Sequence, residues 1–271
     1  MARIVCTSDL HLGITPARTL KVLVGDMARA RPDAVVVAGD LGEPAELFCA
    51  CLDLLRPLQV PVGIVAGNHD LWTQAGGGPD SDQLFGEILP RHVRARGQCW
   101  LEEDSIFLAD GTVLAGSIAW YDYSKRNPQT AEWTPEQFAR AKPDVINDGR
   151  RIAWGHTDPG FAGLVSDRLV ARLERLSGDP AVRRILVATH VPVFERQLTG
   201  RRGDDPVLES YYANLTLGRR LLAFPKVGAV VSGHTHRGLE PVEVPQEGRP
   251  PVTLANLGSD YGDPRFVTLE L

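Results

Sequence analysis

Five short apolar runs, each followed at once by a polar turn, constrain the fold of this 271-residue chain more than any other feature. The runs occupy residues 4–7, 34–38, 60–66, 185–188 and 228–231. Continuous apolar runs of this length are typical of strands that are buried on both faces. Segments with helical spacing follow several of them, so we predict an α/β fold with much parallel sheet and helices on both sides. In such sheets a ligand site lies beyond the carboxyl ends of the strands.

The remaining elements follow from periodicity and turn signals. Helices are predicted over residues 15–30, 44–55, 80–89, 161–176 and 207–224, and a polar loop over 201–205. Asp110-Gly111 lies between two apolar runs, 105–109 and 112–116, which is a strong hairpin signal. Two closing strands are predicted at 252–257 and 266–271.

Composition indicates one large globular domain that spans residues 1–271. Hydrophobic residues make up 43% of the chain and charged residues 23%, which are ordinary globular values. The formal net charge of -5 disfavours extended binding of nucleic acid along a broad basic surface. We therefore expect a small or locally presented substrate, and the sequence predicts no oligomeric state.

The predicted location is cytoplasmic. The first residues, Met1 to Cys6, lead directly into a strand, without the charged start and apolar run of about 7–15 residues that mark an export signal. No stretch approaches the roughly 18 consecutive apolar residues of a membrane span, so no membrane partner is expected.

Residues 117–161 differ in composition from the rest of the chain. This segment holds Trp120, Trp133 and Trp154, three of the five tryptophans, and no strand pattern interrupts it. We interpret it as an inserted, cap-like segment folded over the main body, with a helix near 135–141. Its aromatic residues either fill a core or face a substrate, and the sequence leaves both interpretations open.

The polar turns after the five strands carry the residue types that bind metals. They hold Asp9, His11, Asp40, Asn68, His69, Asp70, His190, His234 and His236. Five of the seven histidines therefore fall at one end of one predicted sheet. Imidazole, carboxylate and amide oxygen together suit manganese, iron, cobalt or zinc, and the absence of a thiolate disfavours a structural zinc site.

The spacing of these donors favours two ions. We expect Asp-x-His and His-x-His to place two donors on one side, because alternate residues of an extended chain share a face. Seven donors are too many for one ion with an open coordination position, but they divide between two ions if one carboxylate bridges. Two ions about 3.5–4 Å apart could hold a hydroxide between them and clamp a phosphate for attack, which is the arrangement of a binuclear hydrolase.

The order of the motifs, D-x-H, G-D, G-N-H-D, a lone H and G-H-T-H, resembles the calcineurin-like metallophosphoesterase family. The motifs run from residue 9 to residue 236, so the resemblance covers nearly the whole chain apart from the insertion. It implies a four-layered α/β sandwich, in which two mixed β-sheets lie between helices. It also implies phosphoester hydrolysis at a two-metal site.

The resemblance also implies a role for each motif residue. Asp9, His11 and His236 would bind the first metal. Asp40 would bridge, and Asn68, His190 and His234 would bind the second metal. His69 would face the phosphate as a catalytic residue that stabilises the transition state or protonates the leaving oxygen. Asp70 would be the second catalytic residue and would orient and charge-stabilise His69.

Three residues outside this set have an open role. Glu43 stands where family members often have aspartate or asparagine, and it either approaches the substrate or only opens the next helix. Arg237, next to the His-x-His pair, is a candidate phosphate clamp or a solvated surface residue. His156, in the insertion, is a candidate substrate contact.

The sequence thus predicts a binuclear, metal-dependent phosphoester hydrolase that is cytoplasmic and acts on a small-molecule phosphoester. The motif set favours a phosphodiester or nucleotide-like substrate. The open alternatives are a phosphomonoesterase, protein phosphatases included, a nuclease, and a non-catalytic scaffold of the same fold. Manganese is the expected ion, with iron, zinc, cobalt or nickel as alternatives.

Overall fold

The computed structural model describes residues 1–74, 77–198 and 205–271. The glycine-rich stretch at 76–78 and the polar loop predicted at 201–205 fall partly outside these ranges. No helix within the described ranges is long and apolar enough to cross a membrane.

The first sheet has five strands in the order β11-β1-β2-β3-β4. Its strands are β1 (Arg3–Thr7), β2 (Ala34–Ala38), β3 (Val62–Val65), β4 (Cys99–Trp100) and β11 (Phe266–Glu270). Strands β1 to β4 pair in parallel, and β11 pairs antiparallel with β1. The carboxyl ends of β1, β2 and β3 therefore lie at one edge.

The second sheet has six strands in the order β5-β6-β7-β8-β10-β9. Its strands are β5 (Ile106–Phe107), β6 (Thr112–Ser117), β7 (Arg184–Thr189), β8 (Val227–Ser232), β9 (Leu239–Gln246) and β10 (Arg249–Asn256). The four central strands are parallel, and the two edge strands β5 and β9 are antiparallel to their neighbours. Both sheets are therefore mixed, as predicted.

Eight α-helices connect the strands. They are α1 (Ala17–Arg29), α2 (Ala45–Leu54), α3 (Ser81–Gln83), α4 (Leu89–Arg94), α5 (Pro135–Val145), α6 (Asp148–Arg151), α7 (Asp158–Gly178) and α8 (Leu215–Leu221), as described within the ranges given above. A π-helical segment, Leu84–Ile88, joins α3 to α4. The helix predicted over 80–89 therefore continues to Arg94.

The two sheets divide the core into layers. Along β1, Ile4 and Cys6 pack with Leu186 of the second sheet, whereas Val5, between them in sequence, packs with helix residues such as Leu20 and Phe48. Alternate residues of a strand point to opposite faces, so burial of both sets means that each sheet is covered on both sides. The predicted four-layered α/β sandwich is confirmed.

The sequence identified the buried elements better than the exposed ones. All five apolar runs are strands, and the Asp110-Gly111 hairpin joins β5 to β6. Strand β9 was not predicted, because its sequence, in which no residue is buried, contains prolines and glutamates instead of an apolar run. The helix predicted over 207–224 is wrong in its first half, where a 3-10 turn at Leu208–Tyr211 precedes α8, whose first turn is capped by Asn214.

The segment 117–161 begins where β6 ends and contains α5, which confirms the helix predicted near 135–141. Helix α7 starts at Asp158, inside the segment. Trp120, Tyr121 and Tyr123 are fully buried, and the Trp120 indole donates a hydrogen bond of 2.7 Å to Asp158. The buried aromatic residues of this segment therefore fill a core.

Candidate metal centre

The motif residues come together where parallel strands of both sheets end. Asp9 and His11 follow β1, Asp40 follows β2, Asn68 follows β3, His190 follows β7, and His234 and His236 follow β8. The structure thus collects at one place the seven residues that the sequence selected as metal ligands. They form two groups, which we call site A and site B.

Site A consists of Asp9, His11, Asp40 and His236. One ligand atom from each of these residues lies within 4.8 Å of the others. His11 Nε2 is 3.4 Å from Asp40 Oδ2, and His236 Nε2 is 3.7 Å from Asp9 Oδ1. Two carboxylates and two imidazoles at this spacing can surround one divalent ion.

Site B consists of Asp40, Asn68, His190 and His234. Asn68 Oδ1 is 2.9 Å from His190 Nε2 and 3.0 Å from His234 Nδ1. The other oxygen of Asp40, Oδ1, is 3.5 Å from His190 Nε2. Asp40 therefore presents one carboxylate oxygen to each site, which is the arrangement that a bridging ligand requires.

Backbone carbonyls hold the site B histidines from behind. The Ala38 carbonyl lies 2.9 Å from His190 Nδ1, and the Tyr211 carbonyl lies 2.9 Å from His234 Nε2. A carbonyl only accepts a hydrogen bond, so each of these ring nitrogens carries the proton. The opposite nitrogen of each ring is then unprotonated and faces Asn68 Oδ1, as a metal ligand must.

An unusual backbone places the donors of the two alternate pairs. The φ angles are 51° at Asp9, 42° at His11, 68° at His234 and 54° at His236. All four residues are in the left-handed region, where a non-glycine residue costs about 1–3 kcal/mol. The expectation that an extended chain brings each pair to one side is therefore wrong, because two left-handed residues do so instead.

Two motif glycines allow carboxylates to approach the backbone. A Cβ atom on Gly67 would lie 2.1 Å from Asp40 Oδ1, and one on Gly233 would lie 2.5 Å from Asp9 Oδ2. Any side chain at these positions would displace a predicted ligand. The glycines of G-N-H-D and G-H-T-H are thus part of the site.

The electrostatics of the site fit two cations. Burial and the nearby Asp70 and Asp9 carboxylates raise the pKa of Asp40 well above its ordinary value. Burial lowers the pKa of His190, and it lowers the pKa of His234 to about 3, with a contribution from His190. The histidines are therefore neutral, as ligands must be, and crowded carboxylates are stabilised by added positive charge.

Unpaired polar atoms support the same conclusion. Both ring nitrogens of His11 are buried without a hydrogen-bond partner among the described residues. A buried polar atom without a partner costs free energy, so such atoms are rare in folded proteins. The residues present therefore fit two divalent ions that share Asp40.

Asp70 does not orient His69, so this prediction is wrong. Asp70 Oδ1 accepts hydrogen bonds from the backbone N–H groups of Leu41 and Gly42, at 2.8 and 3.1 Å. Asp70 Oδ2 accepts from the N–H groups of Asp40 and Gly67, both at 2.9 Å. The carboxylate thus joins the turn after β2 to the turn after β3, which carry Asp40 and Asn68.

Glu43 takes the place that the sequence assigned to Asp70. Its Oε1 lies 3.4 Å from His69 Nδ1. The His69 ring also stacks on Trp72, with 3.7 Å between ring centroids, and its backbone N–H donates to Asp40 Oδ1 at 2.9 Å. His69 is therefore held by the Glu43 carboxylate, the Trp72 indole and the Asp40 carboxylate.

A cleft of about 440 Å³ opens above the two sites. Its lining includes His69, Trp72, Ile146, Asn147, Leu208, Tyr212, Arg237 and Tyr261. Ile146 and Asn147 belong to the insertion, so this segment contributes to the cleft wall through residues other than its buried aromatics. Arg237 lines the cleft, as its selection as a substrate contact requires.

His156 is not among the described residues that line the cleft, and its role as a substrate contact stays a prediction. Its Nε2 lies 3.0 Å from Asp82 Oδ1, and its ring packs against Trp154 and Phe161. Sequence reasoning also missed Trp72, although this residue follows His69 by three positions. The 3-10 turn His69–Leu71, which ends at Trp72, brings the two rings together.

Comparison with known proteins gives the chain its family. Residues 2–238 match the model of the family described as calcineurin-like phosphoesterase. A search of curated protein sequences gave no significant match. Two solved structures have a similar fold. Phosphopantetheinyl hydrolase from Mycobacterium tuberculosis is 22% identical with a TM-score of 0.72, over 97% of this chain and 95% of that chain. A dimetal phosphatase from Danio rerio is 16% identical with a TM-score of 0.62, over 100% of this chain and 92% of that chain.

The family match extends across the motifs from Asp9 to His236, which are the residues that form sites A and B. The chain is therefore a member of the calcineurin-like phosphoesterase family and a binuclear metal-dependent hydrolase of phosphoesters.

Proposed function

We propose that this protein is a phosphodiesterase that acts on a small diester. The observation that carries the proposal is the pair of donor sets that share Asp40 at the base of a cleft that His69 also lines. The family supplies the reaction class, and the surroundings of the site support the choice of a diester.

Sites A and B would hold the two ions, and we propose that manganese would fill both. When bound, such ions neutralise phosphate charge and make water a stronger nucleophile. Asp40, through its two oxygens, fixes the sites relative to each other. Asp70 fixes the turns that carry Asp40 and Asn68.

We assign His69 as the general acid for the leaving oxygen. The ring lines the cleft beside the ligands, and Glu43 lies next to Nδ1, which orients the ring and leaves the other nitrogen for proton transfer. Trp72 restricts the ring from its face. Glu43 acts through His69, so it is a positioning residue in this scheme.

The charge of the cleft favours a diester. Among the described residues that line the cleft, Arg237 is the only arginine or lysine. A monoester phosphate carries about two negative charges at neutral pH, whereas a diester carries one, so a single added cation suits the diester better. Trp72, Tyr212 and Tyr261 offer aromatic walls, and Ile146 and Leu208 offer apolar ones, for groups on either side of the phosphate.

Two kinds of diester fit these walls. A phosphopantetheinyl group joined to an alcohol is a phosphodiester with an extended amide chain, and the hydrolase from Mycobacterium tuberculosis that shares this fold makes it the first substrate to test. A cyclic or linear nucleotide diester would place a base on the aromatic walls.

The cytoplasmic location stays a prediction of the sequence.

The test is an assay of purified protein with manganese on bis-p-nitrophenyl phosphate, p-nitrophenyl phosphate and single-stranded DNA. We expect the small diester to be hydrolysed faster than the monoester and the DNA. A preference for the monoester of about tenfold or more in kcat/KM would contradict the diesterase proposal, because discrimination of that size reflects the site itself. Asp40→Asn should abolish hydrolysis of every substrate, whereas the exposed Asp167→Asn should leave it unchanged.

A further inference from the structure

A buried carboxylate of the insertion contacts both a candidate metal ligand of site B and the residue that supports His69. Asp148, at the start of α6, is 1% exposed. It accepts hydrogen bonds from Asn68 Nδ2 at 2.9 Å, from the Trp72 indole Nε1 at 2.7 Å and from the Tyr121 hydroxyl at 3.0 Å. The first donor belongs to a site B ligand and the second to the ring that stacks on His69.

The bond to Asn68 decides which way its carboxamide faces. A carboxylate only accepts hydrogen bonds, so the Asn68 nitrogen must be the atom that meets Asp148. The Asn68 oxygen then has to point the other way, toward His190 and His234, which lie 2.9 and 3.0 Å from it. With the carboxamide reversed, a nitrogen would face the ion position, and an amide nitrogen with two hydrogens does not bind a metal ion.

The bond to Trp72 acts on the other half of the site. The indole lies against the His69 ring with an interplanar angle of 26°. Because Asp148 Oδ1 holds the indole nitrogen, it limits the rotation of the surface that supports His69. One oxygen of Asp148, Oδ1, therefore contacts both Asn68, a proposed metal ligand, and Trp72, the residue that supports the proposed general acid.

We propose that Asp148 is a positioning residue, through which the insertion fixes the Asn68 oxygen toward site B and the Trp72 indole against His69. This inference rests on the proposed two-metal function and deepens it. It gives the segment 117–161 a part in building the site that does not depend on contact with substrate.

The same segment provides a matched comparison. Asp158 is also a buried carboxylate, and it accepts hydrogen bonds from Trp120 Nε1 at 2.7 Å, from Lys142 Nζ at 2.6 Å and from the Tyr123 hydroxyl. None of these donors is a residue of site A or site B. If Asp148 only stabilised the insertion, its removal and the removal of Asp158 would have the same consequences.

The experiment is a calorimetric titration of manganese into the metal-free full chain, with wild type, Asp148→Ala, Asp148→Asn and Asp158→Ala. Loss of a residue that orients a metal ligand typically lowers affinity by about 10–100-fold. We expect Asp148→Ala to lower the affinity for one of the two ions by that factor and to leave the affinity for the other ion unchanged. Asp148→Asn, which keeps an acceptor oxygen in place, should bind both ions with wild-type affinity.

The control separates positioning from stability. Asp158→Ala should lower the melting temperature about as much as Asp148→Ala, because each leaves buried donors unpaired, but it should bind both ions with wild-type affinity. Equal ion affinities in Asp148→Ala and wild type, or equal losses in both alanine variants, would overturn the proposal.

Two further measurements keep the test decisive. If Asp148→Ala does not fold, Tyr121→Phe takes its place, since it removes one of the three donors that hold Asp148. A loss of about threefold in the affinity of one ion would then support the proposal, and wild-type affinity would overturn it. Hydrolysis of bis-p-nitrophenyl phosphate by the wild-type protein is measured separately. If the wild type binds two ions but does not cleave this ester, the diesterase proposal is refuted, whereas the proposed role of Asp148 is still decided by the titration.

Discussion

Asp70 gives the sharpest test of how the centre is built, because sequence and structure assign it different roles. In Asp70→Asn an NH₂ group replaces one carboxylate oxygen. Each carboxylate oxygen accepts hydrogen bonds from two backbone N–H groups. The variant therefore loses two charge-assisted hydrogen bonds, and its NH₂ group faces two other hydrogen-bond donors. At about 1.5–3 kcal/mol per bond to a charged group, the loss is about 4 kcal/mol. That is a large part of the roughly 5–15 kcal/mol by which a folded domain is stable.

The assay is thermal and urea unfolding of the manganese-loaded protein, followed by circular dichroism at pH 8. Without metal ions, burial raises the pKa of Asp70 to about 7 against the effect of the Gly67 and Gly42 N–H groups, so the charge of Asp70 then costs stability at this pH. Bound cations favour the charged carboxylate and leave the loss of its hydrogen bonds as the main effect of the substitution. For a chain of this size a loss of about 4 kcal/mol lowers Tm by roughly 10 °C. The exposed Asp167→Asn should change stability by less than about 0.5 kcal/mol. Wild-type stability together with a reduced kcat in Asp70→Asn would refute this account and restore the role beside His69.

Three further predictions concern individual side chains. Glu43→Gln should lower kcat for the diester by about 10–100-fold with KM unchanged, since proton transfer contributes about 10²–10⁴-fold, and an unchanged kcat would remove Glu43 from the scheme. Gly67→Ala should abolish manganese binding, because its Cβ would lie 2.1 Å from Asp40 Oδ1, whereas Gly163→Ala, with open space around its Cβ, should bind normally. Glu102→Gln should flatten the pH dependence of unfolding. Burial raises the pKa of Glu102 from 4.5 to about 7, so the folded state keeps a proton that the unfolded state loses, and stability falls as pH rises through this window. A shift of this size corresponds to about 3 kcal/mol, and a wild-type slope between pH 5 and 7 in the variant would contradict it.

The sequence predicted the parts of the protein whose signal is local. A buried parallel strand is apolar throughout, so β1, β2 and β7 were recognisable as apolar runs. The candidate metal ligands after them were recognisable because aspartate and histidine side chains at these positions have few roles other than metal binding. The glycine before Asn68 belongs to the same local signal, since only glycine fits against Asp40.

What the sequence did not show depends on contacts between distant segments. Asp70 is next to His69 in the chain, but its carboxylate turns toward backbone groups about thirty residues away, at Asp40 and Leu41. Asp148 lies eighty residues from Asn68, in a segment without a motif, and it acquires a role only when the insertion folds back onto the site. Periodicity and spacing carry no information about such pairs.

The geometry of the alternate donor pairs was missed for a related reason. Asp-x-His and His-x-His suggested an extended chain, whereas the donors occupy left-handed backbone. Strain of this kind is supported by the surrounding structure, here by the hydrogen bond of 3.0 Å that the His234 N–H donates to Asp9 Oδ1. The residue types therefore predicted the metals, but the backbone that presents them had to be observed.

The central claim is that sites A and B each hold one ion and share Asp40. The most direct measurement is anomalous diffraction at the manganese edge from crystals grown with manganese. The account predicts two peaks per chain, one among Asp9, His11 and His236 and one among Asn68, His190 and His234, with Asp40 between them. A single peak, or a second peak away from Asn68, would contradict it.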